Sequence, residues 1–228
     1  MSLTVSVVVP TYNRADLIGE TLERILAQTV PPAEVIVVDD GSTDDTPAVL
    51  ARFGARIRVE RIENSGEIDA RNHGIRLARG TLIAFCDSDD LWEADHLARM
   101  VALWQAEPSL TAAYANCRIV HGAVWQTRTK FDDAPEGYWG RLRLIGEDAG
   151  VFDQPIVDLL IRFTPLLVSA VVVNAARFRA LGCWDAAVNR WMSQDFATTL
   201  RIADNPPIGI VLAPTVGIRK HGGNFSAD

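Results

Sequence analysis

The sequence predicts an α/β fold in which a Rossmann-like, mostly parallel central sheet is flanked by helices. Three observations carry this prediction. Short β-branched runs, such as Val5 to Val9 and Val35 to Val38, alternate with segments whose apolar residues repeat at helical spacing. That alternation implies right-handed β-α-β units. The apolar runs also end in polar clusters, Pro10-Thr11-Tyr12, Asp39-Asp40 and Asp87-Ser88-Asp89, and in parallel sheets ligands bind at the carboxyl ends of the strands.

In order along the chain, Val5 to Val9 reads as a buried strand stopped by Pro10. Ile18, Leu22, Ile25 and Leu26 form the apolar face of a helix ended by Pro31-Pro32. Val35 to Val38 is the second strand, and Ser42 or Thr43 caps a helix carrying Val49, Leu50 and Phe53. Ile57 to Ile62 alternates as a half-exposed strand, Asn64-Ser65-Gly66 turns into a helix from Glu67 to Ala78, and Gly80 stands as its C′ residue. After the Leu82 to Cys86 strand, Leu97, Met100, Val101 and Trp104 mark a helix ending near Pro108. Thr111 to Val120 and Ala123 to Thr129 form an antiparallel hairpin around His121-Gly122, the small antiparallel element of the second half. Phe131 to Gly150 shows no periodicity and reads as a long loop. Asp153 to Arg162 is a short helix, Ser169 to Asn174 a buried strand, and Gly182 to Asp185 a turn. Ser193 caps a helix that buries Phe196, Leu200 and Ala203, and Gly209 to Ala213 is the last strand before a tail from Arg219.

At 228 residues and 48% hydrophobic content the chain can bury a sizeable core. A net charge of −7 without a basic block argues against nucleic-acid binding. Cys86, Cys117 and Cys183 form neither a zinc pattern nor a disulfide framework, which suits a reducing, cytoplasmic compartment. The N-terminus lacks the pattern of a signal peptide and no apolar run is long enough to span a bilayer, so the expectation is a protein without a transmembrane segment, with peripheral contact at the inner face of a membrane left open. Oligomeric state is not legible.

The acidic stretch carries the chemistry. Alternate residues of an extended chain point the same way, so Asp87 and Asp89 share one face. Two carboxylates so placed repel each other unless a cation joins them, and Mg²⁺ or Mn²⁺ bridges carboxylates to phosphate oxygens. A polar turn capping the following helix fits the same residues.

Six segments together resemble the inverting family 2 glycosyltransferases of GT-A fold. They are VVVPTYNR (Val7 to Arg14), VVDDGSTDDT (Val37 to Thr46), N-x-G-x-x-x-A-R-N-x-G (Asn64 to Gly74), FCDSDDLW (Phe85 to Trp92), GCWDAAV…QD (Gly182 to Asp195) and RKHGGNFS (Arg219 to Ser226). The resemblance implies one glycosyltransferase domain over 1–228, with 1–108 binding the nucleotide sugar and 109–228 the acceptor. It implies a divalent metal, Mn²⁺ or Mg²⁺, and transfer with inversion to a hydroxyl of a carbohydrate or lipid-linked acceptor, in synthesis of cell-surface polysaccharide, glycolipid or another glycoconjugate. Pro10, Thr11, Tyr12, Arg14, Asp39, Asp40, Arg71, Asp87 and Ser88 fall on the donor side. Asp39, an acceptor-only carboxylate, can take the imide N–H of uracil or thymine, so UDP- or dTDP-sugars are favoured, while the N1–H of guanine leaves GDP open. Helix capping by Asp39 or Asp40, a Tyr12 wedged against the sheet and an exposed helix Arg71 are the alternatives.

Asp89, Asp87 and His221 are the implied metal ligands, with the ribose the alternative for Asp87 and a diphosphate contact or a plain loop position the alternatives for His221, and Arg219 or Lys220 could pair with phosphate. Asp195 resembles the family's general base, although a carboxylate at a helix N-terminus fits it too. The sequence departs from the usual Glu-Asp at this point and reads Gln194-Asp195. Trp191 and Gln194 are placed at the acceptor, with Trp184 a second aromatic candidate and a core position the alternative for both tryptophans. A dehydrogenase or P-loop enzyme would need glycine motifs that this sequence lacks. A nucleotidyltransferase or a catalytically silent sugar-nucleotide-binding protein are the remaining readings.

Overall fold

A computed structural model describes residues 3–188 and 194–222. Strand β1 (Val5–Thr11) is buried along all seven residues. Its alternate positions serve two cores. Val5, Val7 and Val9 pack with Ile18, Leu22, Ile25 and Val37, whereas Val8 packs with Ile36, Val38, Ile75 and Phe85. A strand covered on both faces needs apolar residues at every position, which is why it appears in the sequence as an unbroken run.

Helix α1 (Ile18–Leu26), β2 (Glu34–Asp39), α2 (Thr46–Ala51), β3 (Arg58–Arg61) and α3 (Glu67–Leu77) follow. β4 (Leu82–Phe85) and the short β5 (Leu91–Trp92) bracket the acidic loop, and α4 (His96–Ala106) comes next. β1 pairs in parallel with β2 and β4, and β2 with β3. The second half supplies β6 (Ala112–His121), β7 (Val124–Thr129), β8 (Arg143–Ile145), β9 (Ala149–Phe152), α5 (Val157–Arg162), β10 (Val171–Asn174), α6 (Ala175–Ala180), α7 (Gln194–Ala203) and β11 (Ile208–Lys220).

Among the described residues one sheet carries both halves, in the order β3-β2-β1-β4-β10-β6-β11-β9-β8, with β5 on β11 and β7 on β6. The expected α/β architecture is present. Antiparallel pairing enters where β10 slots between β4 and β6, where β5 and β9 join β11, and in the β6–β7 and β8–β9 hairpins. The parallel β6–β11 pair brings the end of β11 back toward the acidic loop. Cys86, Cys117 and Cys183 are all free thiols. No helix among the described residues is long and apolar enough to cross a membrane.

Several local expectations are corrected. Pro10 does not stop β1, which runs on to Thr11. Thr4 and Val8, of the same parity as Pro10, accept from Leu82 and Cys86 on the β4 side. The missing N–H of Pro10 therefore faces the place where that ladder has already ended. Helix α2 starts at Thr46 with Asp45 as its N-cap residue, because Ser42 and Thr43 are engaged with Asn13 instead. Gly80 lies past the helix end at Ala78; a Cβ there would strike the Ser6 backbone, so close approach to β1 explains the glycine. Residues 131–150 contain β8 and the start of β9, a hairpin at the sheet edge, where exposure of β8 leaves no alternating pattern to read. β11 continues through Pro214 to Lys220, with the register shifting on both sides of that proline. The sequence reading missed α6, six residues capped by the Asn174 side chain, because it is too short to show a period.

Candidate active site

The ends of β1, β2, β4 and β11 meet the first turns of α3 and α7 around a cavity of about 1070 Å³. On one side lie Pro10, Thr11, Tyr12, Arg14 and Asp40. Tyr12 is 44% exposed, so it stands on the rim and is not wedged against the sheet. The chain turns at Asn13 in the left-handed region (φ +50°), which asparagine tolerates better than most residues. The Asn13 N–H donates to Ser42 Oγ at 3.0 Å and its Oδ1 accepts from the Thr43 N–H at 2.8 Å. The loops after β1 and β2 are thereby laced into one wall.

The two aspartates that end β2 differ in role. Asp39 is 2% exposed; its Oδ1 accepts from the Ser42 N–H at 2.9 Å, and Oδ2 lies 3.4 Å from the guanidinium of Arg61, a side chain 55% exposed. It sits behind the lining rather than in it. Asp40 lines the cavity, and its carboxylate accepts from the N–H groups of Ser65 and Gly66 at 2.8 and 2.9 Å. Asp40 therefore holds the turn that opens α3 and does not cap α2.

Asp87, Ser88, Asp89 and Asp90 leave β4 along the cavity floor. Asp87 Oδ1 accepts from Arg71 Nη2 at 2.6 Å. Asp89 Oδ2 lies 3.0 Å from His221 Nε2 and 3.5 Å from Arg14 Nε. Both carboxylates face the cavity, but different cationic or imidazole partners draw them. Asp90, which the sequence reading gave no site role, is buried and accepts from Ser169 Oγ at 2.5 Å and the Arg219 N–H at 3.1 Å. Burial, aided by Asp89 and Asp87, pushes its carboxyl well above the usual range. Arg219 is also buried and spends its guanidinium on Glu20, Thr21 and the Asp89 carbonyl. It anchors β11 to α1 and the acidic loop, while Lys220 lines the cavity.

Arg71 is a buried side chain of α3, not an exposed one. Its Nη2 meets Glu67 Oε1 and Asp87 Oδ1, and its guanidinium carbon lies 5.3 Å from the Trp184 ring centre. Burial opposes its charge, but Glu67 and Asp87 outweigh that and raise its pKa further. Its Nε and Nη1 have no hydrogen-bond partner among the described residues. Trp184 itself is core, stacked edge-on with Phe85 and Phe178 and tied through its backbone to the Asn72 side chain.

Across the cavity, Asp195 lies in the first turn of α7. Burial raises its carboxyl pKa, while Arg71 and the N–H groups of the helix start hold it down. The helix-terminus and cavity positions expected as alternatives are thus occupied together. Gln194 donates from Nε2 to Glu67 Oε2 at 2.8 Å. Glu67 is half-buried, with 40% of its side chain exposed, yet its carboxylate is held between Arg71 and Gln194. Burial raises it to about 7, against Arg71 and with Asp87 and Asp195. The sequence reading missed Glu67; the available signal was a carboxylate one turn before Arg71. It also missed the apolar wall of Leu166, Leu167, Val168 and Phe196. Trp191 and Ser193 lie outside the described residues.

Among the described residues no group of three or more His, Cys, Asp or Glu is disposed to hold an ion. Asp89 and His221 do converge, and one carboxylate with one imidazole suits an ion bound mainly through substrate phosphates and water.

The family described as glycosyl transferase family 2 matches residues 6–155. A Bacillus subtilis glycosyltransferase, TuaG, whose name connects it with teichuronic acid biosynthesis, is 43% identical over 42% of this chain and 40% of its own length. A "PGL/p-HBAD biosynthesis glycosyltransferase" of Mycobacterium tuberculosis is 33% identical over 79% of this chain and 66% of its own. The chain thus spans between two fifths and two thirds of these relatives. The crystal structure of S. aureus TarS 1–349 in complex with UDP-GlcNAc superposes with a TM-score of 0.73, covering 97% of this chain and 60% of that one at 22% identity. That likeness identifies the fold as the TarS type.

Proposed function

Because this chain belongs to glycosyl transferase family 2, we propose that it transfers a sugar from a nucleoside-diphosphate donor, UDP- or dTDP-linked, to an acceptor hydroxyl with inversion. The observation that carries this reading is the convergence on one cavity of the strand-end loops and of Asp195, which the chain supplies far later from α7. A donor bound along Pro10 to Arg14 and the acidic loop would present its anomeric carbon between that loop and Asp195.

The roles follow from residue chemistry. Thr11 and Tyr12 flank the nucleoside, and Asp39 takes the imide N–H once the half-exposed Arg61 swings aside. Arg71, whose Nε and Nη1 have no partner among the described residues, and Lys220 line the cavity where the diphosphate would lie. Asp89 and His221 would hold a divalent ion, whose chemistry here is Lewis-acid stabilisation of the departing diphosphate. Asp195 removes the acceptor proton as the hydroxyl attacks from the face opposite the diphosphate; its raised pKa makes it a stronger base than an ordinary carboxylate. The apolar Leu166–Val168 wall and Phe196 offer a surface for the acceptor. Relatives named for teichuronic acid and PGL/p-HBAD biosynthesis direct the acceptor search to cell-surface polysaccharide, glycolipid or other glycoconjugate.

The test is a panel of nucleotide sugars by thermal shift with and without Mn²⁺, followed by transfer from labelled donor into a crude acceptor extract. TarS in complex with UDP-GlcNAc and UDP makes UDP the first nucleotide to try. Stabilisation by UDP-sugars with transfer of label supports the reading; no binding across the panel refutes it.

A further inference from the structure

Resting on that reading, we infer that Glu67 is a positioning residue for the transfer: through Gln194 it holds the start of α7, and with it Asp195, against the donor side of the cavity. Glu67 opens α3 and Gln194 opens α7, 127 positions later. One carboxylate spans the gap between the helices, with Oε1 on Arg71 and Oε2 accepting from Gln194 Nε2 at 2.8 Å. The same group therefore fixes the guanidinium that faces Asp87 and the residue that immediately precedes Asp195.

The two residue types suit each other. An acid at 194, as the family resemblance leads one to expect, would put a second carboxylate against Glu67. That cleft already holds Asp87, Asp89 and Asp195, and carboxylates sharing one site cannot both stay ionised without cost. The neutral amide donates where a carboxylate would repel. In this chain the acid sits on α3 and its hydrogen-bonding partner on α7, so the departure at Gln194 is answered by Glu67 on the facing helix. Placement of a base within a fraction of an ångström governs rate, so loss of the bridge falls on turnover through Asp195, and on donor affinity only through the contact that Glu67 also makes with Arg71.

The test uses the full chain with UDP-N-acetylglucosamine and Mn²⁺ as probe. Glu67→Ala breaks the bridge. The double variant Glu67→Gln/Gln194→Glu rebuilds it with the carboxylate on α7. We expect Glu67→Ala to slow turnover at saturating donor roughly 10- to 100-fold, beyond any loss of UDP affinity that follows from the freed Arg71, and the double variant to recover most of the rate. Amide hydrogen exchange of the segment from Gln194 to Thr199, which needs no substrate, should quicken in Glu67→Ala and return in the double variant. Unchanged amide exchange in Glu67→Ala, or a double variant no better than Glu67→Ala, overturns the positioning role. A wild type that neither binds UDP nor consumes the donor overturns the functional reading instead, and the amide exchange still decides whether the bridge holds α7.

Discussion

The Asp89 carboxylate and the His221 imidazole meet at 3.0 Å, joining the loop after β4 to the end of β11 across 132 positions of chain. UDP binding is expected to weaken in chelator and to return with Mn²⁺ or Mg²⁺. Asp89→Ala should abolish that response, and His221→Ala should reduce it. Calorimetry of UDP in EDTA and after metal addition reads all three proteins. Full donor affinity and turnover in chelator would take Asp89 and His221 out of the ligand role.

Asp195→Asn nearly preserves shape and removes basicity. Transfer should fall by roughly 10² to 10⁴, with UDP affinity close to wild type. Because burial raises the Asp195 carboxyl, activity in the wild type should be lost on acidification at a higher pH than an ordinary aspartate would set. The rate remaining in the variant should lack that acid limb. Transfer at near wild-type rate in Asp195→Asn would assign the base elsewhere.

Asp39 concerns base selection. Uracil and thymine present an imide N–H to its carboxylate, whereas cytosine presents a bare N3. Asp39→Ala is expected to weaken UDP by about 1.5–3 kcal/mol and CDP much less, so the preference narrows. Titration of UDP, dTDP and CDP into both proteins measures this; a wild-type preference for CDP would show that Asp39 does not read the base.

Gly74 packs α3 onto the sheet. A Cβ there would land well inside contact distance of the Val8 side chain and close to Val38. Since both valines are fully buried, the helix must shift to accept it. Gly74→Ala should destabilise the fold by about 1–3 kcal/mol, seen as a lower urea midpoint with unchanged slope. Equal midpoints would mean that α3 can move away freely.

His96 predicts a pH dependence of stability. Its ring is buried, lies tilted against Trp92 with ring centres 4.4 Å apart and bonds Thr215 through Nδ1 at 2.8 Å. Burial lowers its pKa from 6.5 to about 3, despite the nearby Asp95. Below pH 6.5 the unfolded chain takes up a proton that the folded chain refuses, so stability present above pH 6.5 is lost toward pH 3, by up to about 1.4 kcal/mol per unit. His96→Gln removes this contribution while groups such as Asp90 titrate in both proteins. Urea unfolding at pH 7, 6, 5 and 4 should show a steeper acid loss in wild type; parallel curves would show that His96 is not the cause.

By itself the sequence determined the alternation of strands and helices in the first half and the polar clusters at the strand ends. Hydrophobic period and strand-ending residues are local properties, and each helix or buried strand carries its own pattern. The same locality explains what escaped notice. The exposed edge strand β8 and the six-residue α6 have too little buried surface to show a period, and β11 hides its length behind Pro214.

Only the tertiary structure decided the pairings within the cavity. Asp87 and Asp89 are two residues apart, yet one is drawn to Arg71 and the other to His221. Asp40 reaches across to the α3 turn, Arg219 is spent on Glu20 and Thr21, and Gln194 finds Glu67. These contacts depend on β10 slotting between β4 and β6, and on β11 returning alongside β6. No local period encodes which strand ends lie side by side. Which cation or amide a buried carboxylate meets is settled by the chain folding as a whole, because each such group must find its partner among residues that the sequence keeps far apart.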